Sequence, residues 1–314
     1  MKRIIAGATG FIGQQLTKRW LAAGHQIVAI GRSRAKIKQC FGAQVQALEW
    51  QELNTEIIQN AQVVVNLAGA NIGAGRWTTK RRQQILDSRV NTTRQLAELC
   101  ARLGAQSPAL FNASAVGVYG LQTSMAEGLP PALDETTTID FQQAPDFLAK
   151  VGRAWELAAL PAKNAGARVV WMRFGVVLAK HGGVLPRLAL PVRFFLGGPM
   201  GSGQQPFSWI SLVDLLNAID FLLDHSEING AVNLVAPGCV TQKQFIQALA
   251  KVLHRPSFFP LPAIVLKLLF GQMAEELLLK GQRVYPKRLL ELGFQFKYPK
   301  VSQLDKIISS EFVD

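Results

Sequence analysis

Near its amino terminus the chain reads Gly7-Ala8-Thr9-Gly10-Phe11-Ile12-Gly13. The run follows a short apolar segment, Arg3 to Ala6, and opens an amphipathic one, Phe11 to Ala23. A phosphate-binding turn needs that order. Gly7 permits the tight bend, Gly10 lets the backbone approach a pyrophosphate, and Gly13 lets the next helix lie close to the sheet. The helix N terminus then offers unpaired N–H groups and a partial positive charge to the anion. One strand later comes the position that chooses between dinucleotides, where an acidic side chain would take a ribose 2′-hydroxyl. Here the sequence is Ile30-Gly31-Arg32-Ser33-Arg34, and the first acid of the whole chain is Glu49. A guanidinium can grip a 2′-phosphate bidentately. Arg32, assisted by Ser33, is therefore expected to select NADP(H).

The elements that must hold these residues are legible as alternating periods. Apolar runs at 3–6, 26–30, 45–48, 62–67, 110–113 and 169–172 read as strands. The fourth is nearly all valine, as suits a strand buried on both faces. Helical stripes lie between them, the longest over 79–103. This rhythm predicts an α/β fold: a Rossmann-type, doubly wound parallel sheet with helices on both faces. Past Arg173 the character changes. Pro and Gly crowd 181–206, a helical pattern covers 212–223, and a strand (231–235), a helix (242–253) and a basic, mostly helical tail follow.

Composition narrows the class. At 314 residues, 49% hydrophobic and 18% charged, the chain can bury a large core and is too apolar for a disordered one. Cys40, Cys100 and Cys239 are odd in number and far apart, and the four histidines are scattered, so neither a disulfide framework nor a metal site is expected. No apolar run reaches the roughly 18 residues of a membrane span, and no secretory leader is evident. The cytoplasm is the expected location. A net charge of +13 draws in anions. Nucleic acid is disfavoured as a partner, because no helix-turn-helix or aromatic–basic interleaving accompanies the charge.

Together, GATGFIG, Asn66-Leu67-Ala68-Gly69, Asn112-Ala113-Ser114-Ala115 and the later Arg173 resemble the extended short-chain dehydrogenase/reductases. Further segments resemble more narrowly the YfcH-like epimerase family, an atypical branch: NLAGANIGAGRW, SRVNTTRQL, NASAVGVYG, FLAKVGRAWE, GGPMGSGQQPFSWISLVDL and NLVAPGCVTQKQF. The tail QRVYPKRLLELGFQFKYP resembles that branch's C-terminal domain of unknown function. The resemblance implies a cofactor site. Gly7, Thr9, Gly10, Phe11, Ile12 and Gly13 would hold the pyrophosphate, Arg32 and Ser33 the 2′-phosphate, and Leu67, Ala68 and Gly69 the adenosine ribose. Ser114 would sit near the nicotinamide, with Arg173, Phe174, Gly175 and Val176 as the lip beside it. It also implies an NADP-binding domain over 1–175, rejoined by 206–226, and a smaller α+β substrate lobe from 176–205 and 227–314.

The superfamily's usual mechanism uses a tyrosine as acid/base and a lysine four residues on. The chain's three tyrosines, Tyr119, Tyr285 and Tyr298, are followed at that distance by Thr123, Leu289 and Ser302. In the corresponding helix the two slots fall near Leu148 and Gly152, and the resembling branch lacks the pair as well. Ser114 and Tyr119 are the candidate substitutes, with Lys150 and Asp214 behind them. Arg76-Trp77 offers an anion-plus-stacking contact, or simply a loop anchored by a buried Trp. Two functions follow. One is an NADP(H)-dependent oxidoreductase or epimerase acting on a small, anionic or nucleotide-sugar-like substrate. The other is a non-catalytic NADP(H)-binding sensor or regulator, for example in division.

Overall fold

The computed structural model describes residues 1–122 and 128–309. Six strands carry the amino-terminal part: β1 (Lys2–Ala6), β2 (Gln26–Gly31), β3 (Val45–Glu49), β4 (Val63–Asn66), β5 (Ala109–Ala115) and β6 (Val169–Phe174). With Gly230–Leu234 they form one seven-stranded sheet in the order β3-β2-β1-β4-β5-β6-(230–234). Every pairing in it is parallel. The order reverses between β1 and β4, and ligands of open α/β sheets bind beyond the strand C termini at such a switch point.

Between the strands lie helices α1 (Phe11–Ala22), α2 (Arg34–Phe41), α3 (Thr55–Ile58), α4 (Thr79–Leu103), α5 (Phe147–Leu157) and α6 (Leu160–Asn164). Apolar clusters fill both faces. Ile5, Val63, Val65 and Phe111 pack on one side with Leu16 and Trp20 of α1. Ile4, Val64 and Leu110 pack on the other with Leu96 and Cys100 of α4. The valine run of β4 is thus buried on both faces because helices cover both.

Helix Leu212–Asp224 packs back onto the main sheet, where the Trp20 Nε1 of α1 donates to Asp220, and the rest forms a smaller lobe of short strands and helices. Val176–Leu178 pairs with Trp209–Ser211, and Pro206–Phe207 pairs with Val240–Thr241. Helices Gln242–Val252 and Leu304–Ser309 enclose a core with Phe245, Leu249 and Tyr298. The sequence-based division needs one correction. Residues 230–234, assigned above to the substrate lobe, form the edge strand of the main sheet, in register with Val170 to Phe174. Apolar Val232 and Leu234 are buried there, and Gly230 starts the strand at φ +90. Helix Leu185–Arg193, absent from the sequence reading, forms although Pro191 lies inside it and Pro186 stands in its first turn. A proline in the first turn removes no needed N–H, and Leu185, Ala189 and Val192 supply a buried stripe. Among the described residues no helix is long and apolar enough to cross a membrane.

Candidate functional site

The glycine turn is built for close approach. Gly7 sits at φ +80, and a Cβ on it would lie 2.8 Å from the Ala68 nitrogen and the Leu67 carbonyl. A Cβ on Gly13 would come within 2.3 Å of the Gly7 oxygen and 2.8 Å of the Ala8 Cα. Gly10 closes the turn, its N–H donating to the Gly7 carbonyl at 2.9 Å. Gly10 is also the N-cap of α1, and no side chain caps that terminus. The first-turn N–H groups are therefore left for an external acceptor. Thr9, Phe11 and Ile12 line the turn half-buried, and the Phe11 ring rests against Gly182 and Gly183. Gly13→Ala is expected to lose roughly 1–3 kcal/mol, because backbone rather than a pliant side chain meets the new methyl. Thermal unfolding measures that loss, and dinucleotide titration should show binding abolished.

At the end of β2 the three polar residues separate. Ser33 is the N-cap of α2, accepting from the Lys36 N–H at 3.3 Å. Arg34 is bound to Glu52, and its own N–H donates to Glu49. Arg32 is exposed, and among the described residues nothing accepts from its guanidinium. One arginine of the pair is thus committed to the protein and the other is available. Leu67 and Ala68 follow β4 half-buried, with Gly69 exposed. The Leu67 N–H donates to the Ala6 carbonyl at 2.9 Å and the Ala68 N–H to Asn66 Oδ1 at 3.2 Å. Behind them Asn66, Asn112 and Thr93 form a buried hydrogen-bonded triad that fixes β4, β5 and α4 to one another.

Ser114 and Tyr119 meet a different environment from the one the resemblance suggests. Ser114 stands opposite Arg173 in the β5–β6 register. Its hydroxyl donates to Glu156 Oε1 at 2.8 Å, and Ser114 is 1% exposed. Arg173 closes a bidentate pair on the same carboxylate, Nε to Oε1 at 2.8 Å and Nη2 to Oε2 at 2.9 Å. Its Nη1 donates to the Tyr119 hydroxyl at 2.9 Å, and the guanidinium lies 4.9 Å from that ring's centroid. The Tyr119 oxygen is also 2.9 Å from both the Asp134 carbonyl and Asn233 Oδ1. Burial opposes the charge on Arg173, yet the Glu156 carboxylate outweighs it and holds the guanidinium above its ordinary value.

Burial also pushes the Tyr119 phenol up to about 12, against the pull of Arg173. A phenol so raised is protonated at neutral pH and its hydroxyl is fully engaged. The raised value contributes stability that is complete below an unfolded phenol's pKa near 10 and is lost as pH rises to about 12. The phenolate absorbance of Tyr119→Phe is therefore expected to depart from that of the parent only near the upper end of this window. A departure centred near pH 10 would contradict the network.

The other candidates are placed as follows. Phe174, Gly175 and Val176 continue from Arg173, and the Gly175 and Val176 N–H groups donate to the Leu234 and Ser208 carbonyls. Lys150 is exposed. Asp214 is fully buried, caps the helix Leu212–Asp224 with Ser211, and accepts from the Lys297 and Tyr298 N–H groups. Trp77 is a loop anchor, buried against Phe147 with its Nε1 on the Ile72 carbonyl, while Arg76 reaches the Leu268 carbonyl. A Cβ on Gly152 would meet the Val118 backbone at 3.0–3.1 Å, so the lysine slot is filled by the chain itself. Sequence reasoning missed Glu156 as the centre of the buried network. It also missed Arg89, which is 9% exposed and lies against Gly69 with its guanidinium over Trp155.

Comparison with known proteins agrees with this architecture. Residues 261–303 match a domain of unknown function, DUF1731. The epimerase family protein YfhF of Bacillus subtilis is 35% identical over 315 residues, covering 100% of this chain and 99% of its own. A chloroplastic SDR39U1 homologue of Arabidopsis thaliana is 39% identical, covering 95% of this chain and 83% of its own. The crystal structure of human SDR39U1 with NADPH superposes with a TM-score of 0.86 at 32% identity, over 99% of this chain and 100% of that one. A UDP-glucuronic acid 4-epimerase of Bacillus cereus shares the fold at a TM-score of 0.75 and 17% identity, over 98% of this chain and 97% of that one. Residues 3–234 match the NAD dependent epimerase/dehydratase family, and with that match and these relatives the chain belongs to that family.

Proposed function

We propose that the protein binds NADP(H) at the sheet's switch point and acts as an oxidoreductase or epimerase on a small anionic or nucleotide-sugar-like substrate, without a Tyr/Lys pair. The observation that carries this is the glycine cradle at an uncapped helix terminus, with Arg32 unpartnered one strand away. The cradle fits a dinucleotide because the space a Cβ would fill at Gly7 and Gly13 is space the backbone needs to bend. The NADPH held by the human relative supports the same reading. A bound nicotinamide would supply or accept a hydride.

The chain's own residues divide the remaining work. Gly7, Thr9, Gly10, Phe11, Ile12 and Gly13 hold the pyrophosphate, and Arg32 takes the 2′-phosphate from the exposed end of β2. Leu67, Ala68 and Gly69 line the ribose. Arg173 to Val176 form the opposing lip, and the smaller lobe covers the substrate. Ser114 spends its proton on Glu156, so it orients β5 rather than protonating a carbonyl. Three free cysteines suit a reducing compartment, and we place the protein in the cytoplasm.

The engagement of Ser114 and Tyr119 favours a second reading, an NADP(H)-binding regulatory protein without turnover. Calorimetric titration with NADPH and NADH tests the site. NADPH consumption over a panel of carbonyl compounds and nucleotide sugars then separates the readings. Turnover of any panel member favours the enzyme; tight binding with no turnover across the panel favours the regulator.

A further inference from the structure

Three arginines from two lobes converge on the loop that follows β4. Arg89 Nη1 donates to the Ala70 carbonyl at 3.1 Å and to Ile85 at 3.0 Å. Arg81 donates through Nη2 to the Asn71 carbonyl. Arg187, from helix Leu185–Arg193, donates through Nη1 to the Gly73 carbonyl at 3.1 Å. Residues 70 to 73 span at most roughly 10 Å of chain, so the three guanidiniums crowd one short segment. None of them forms an ion pair among the described residues.

The crowding bears most on Arg89, the buried member. Arg89 is nine-tenths buried, and among the described residues acceptors reach only its Nη1. Burial, then the charge of Arg81, push its guanidinium down to about 10. Arg81 Nε is buried with no acceptor among the described residues. Gly69 leaves room for Arg89, since a Cβ there would lie 3.2 Å from the Arg89 Cζ. Buried cations are ordinarily paired; here Arg89 is held by carbonyls on Nη1 alone, Arg81 reaches Gln84 Oε1 through Nη1 and the Asn71 carbonyl through Nη2 but leaves Nε bare, and Arg187 stands exposed at the rim. The loop lies at the C-terminal end of β4, beside the crevice.

We propose that Arg81, Arg89 and Arg187 form a second anion site, which receives a phosphate of the substrate rather than of the dinucleotide. This rests on the crevice reading above and extends it to the substrate's chemical class. The missing countercharge is then the ligand's. Arg187, carried by the smaller lobe, ties that lobe to the loop when the anion is held.

Calorimetric titration of inorganic phosphate and of UDP into the full chain, with and without saturating NADPH, tests this. At least one probe should bind, and Arg81→Gln/Arg187→Gln should weaken it by about tenfold or more while NADPH affinity stays within about twofold. These two positions are less buried than Arg89, so the variant keeps its core; Arg89→Lys, which keeps charge but not the fork, should weaken the probe as well. UDP much tighter than phosphate assigns the anion to a nucleotide, and equal affinities assign it to a lone phosphate; both support the site. Neither probe binding, or the variant binding as tightly as the parent, overturns it. Equal loss of probe and NADPH also overturns it, since the arginines would then serve the dinucleotide. Failure of the parent to bind NADPH defeats the cradle reading alone, because the titrations without NADPH still report on the arginines.

Discussion

Replacing Arg173 by methionine is expected to lower stability by about 3–5 kcal/mol, read as a fall in the urea midpoint at unchanged slope. The size follows from what stays behind. Glu156 is 3% exposed, and without Arg173 its carboxylate keeps only the Ser114 hydroxyl and loses both arms of the bidentate pair. Tyr119 loses its donor in the same step. A buried charge stripped of its partner costs far more than the intact pair contributes. Glu156→Gln added to Arg173→Met should therefore recover more than half of the loss, because the amide leaves no charge and can still accept from Ser114. A single variant within about 1 kcal/mol of the parent, or a double variant no better than the single, would contradict this account.

The network matters because of what it joins. Ser114 lies on β5, Glu156 on α5, Arg173 on β6 and Tyr119 in the turn after β5, while Asn233 belongs to the edge strand. Asn233 Nδ2 donates to the Tyr285 carbonyl, and its N–H donates to the Glu135 carboxylate at 2.8 Å. One buried cluster thus connects the C-terminal ends of three strands to the tail. Packing holds the strands side by side, whereas directional bonds fix where their ends point. Disturbing Arg173 should loosen the lip of the crevice before it loosens the sheet.

How far this could be read from the sequence depended on whether the physics was local. The valine run of β4 and the 79–103 helix, capped by Thr78 and Gly104, were legible because burial period and end signals sit in consecutive residues. The glycine turn was legible for the same reason, since three glycines between a strand and a helix have few other uses. The buried network was not. Ser114, Glu156, Arg173 and Asn233 are dispersed over more than a hundred positions, and strand register alone makes neighbours of Ser114 and Arg173. Arg32 could be preferred over Arg34 from the sequence, but what commits Arg34 elsewhere, Glu52 within reach, comes from the fold. Helix Leu185–Arg193 was hidden by its prolines; the strand at 231–235 was legible, but its place at the edge of the main sheet was not, because its partner β6 lies far away in sequence.

Arg32→Ala is expected to weaken NADPH by about 10- to 100-fold and to leave NADH nearly unchanged. The asymmetry is the test, because a guanidinium that merely steadied the loop would affect both dinucleotides alike. The residue's surroundings argue for the asymmetric result. Among the described residues Arg32 has no acceptor to lose, so its removal breaks no bond there. Arg34→Ala is the internal control. It severs the Glu52 pair at the head of α2, and it should trim stability slightly with little change in the NADPH-to-NADH ratio. Arg32 is exposed, so its attraction for a phosphate should decline with added salt. The preference for NADPH in the parent should narrow accordingly between low and high ionic strength, while the variant's ratio stays flat. If the variant's preference is as salt-sensitive as the parent's, another cation holds the 2′-phosphate and the assignment to Arg32 is wrong.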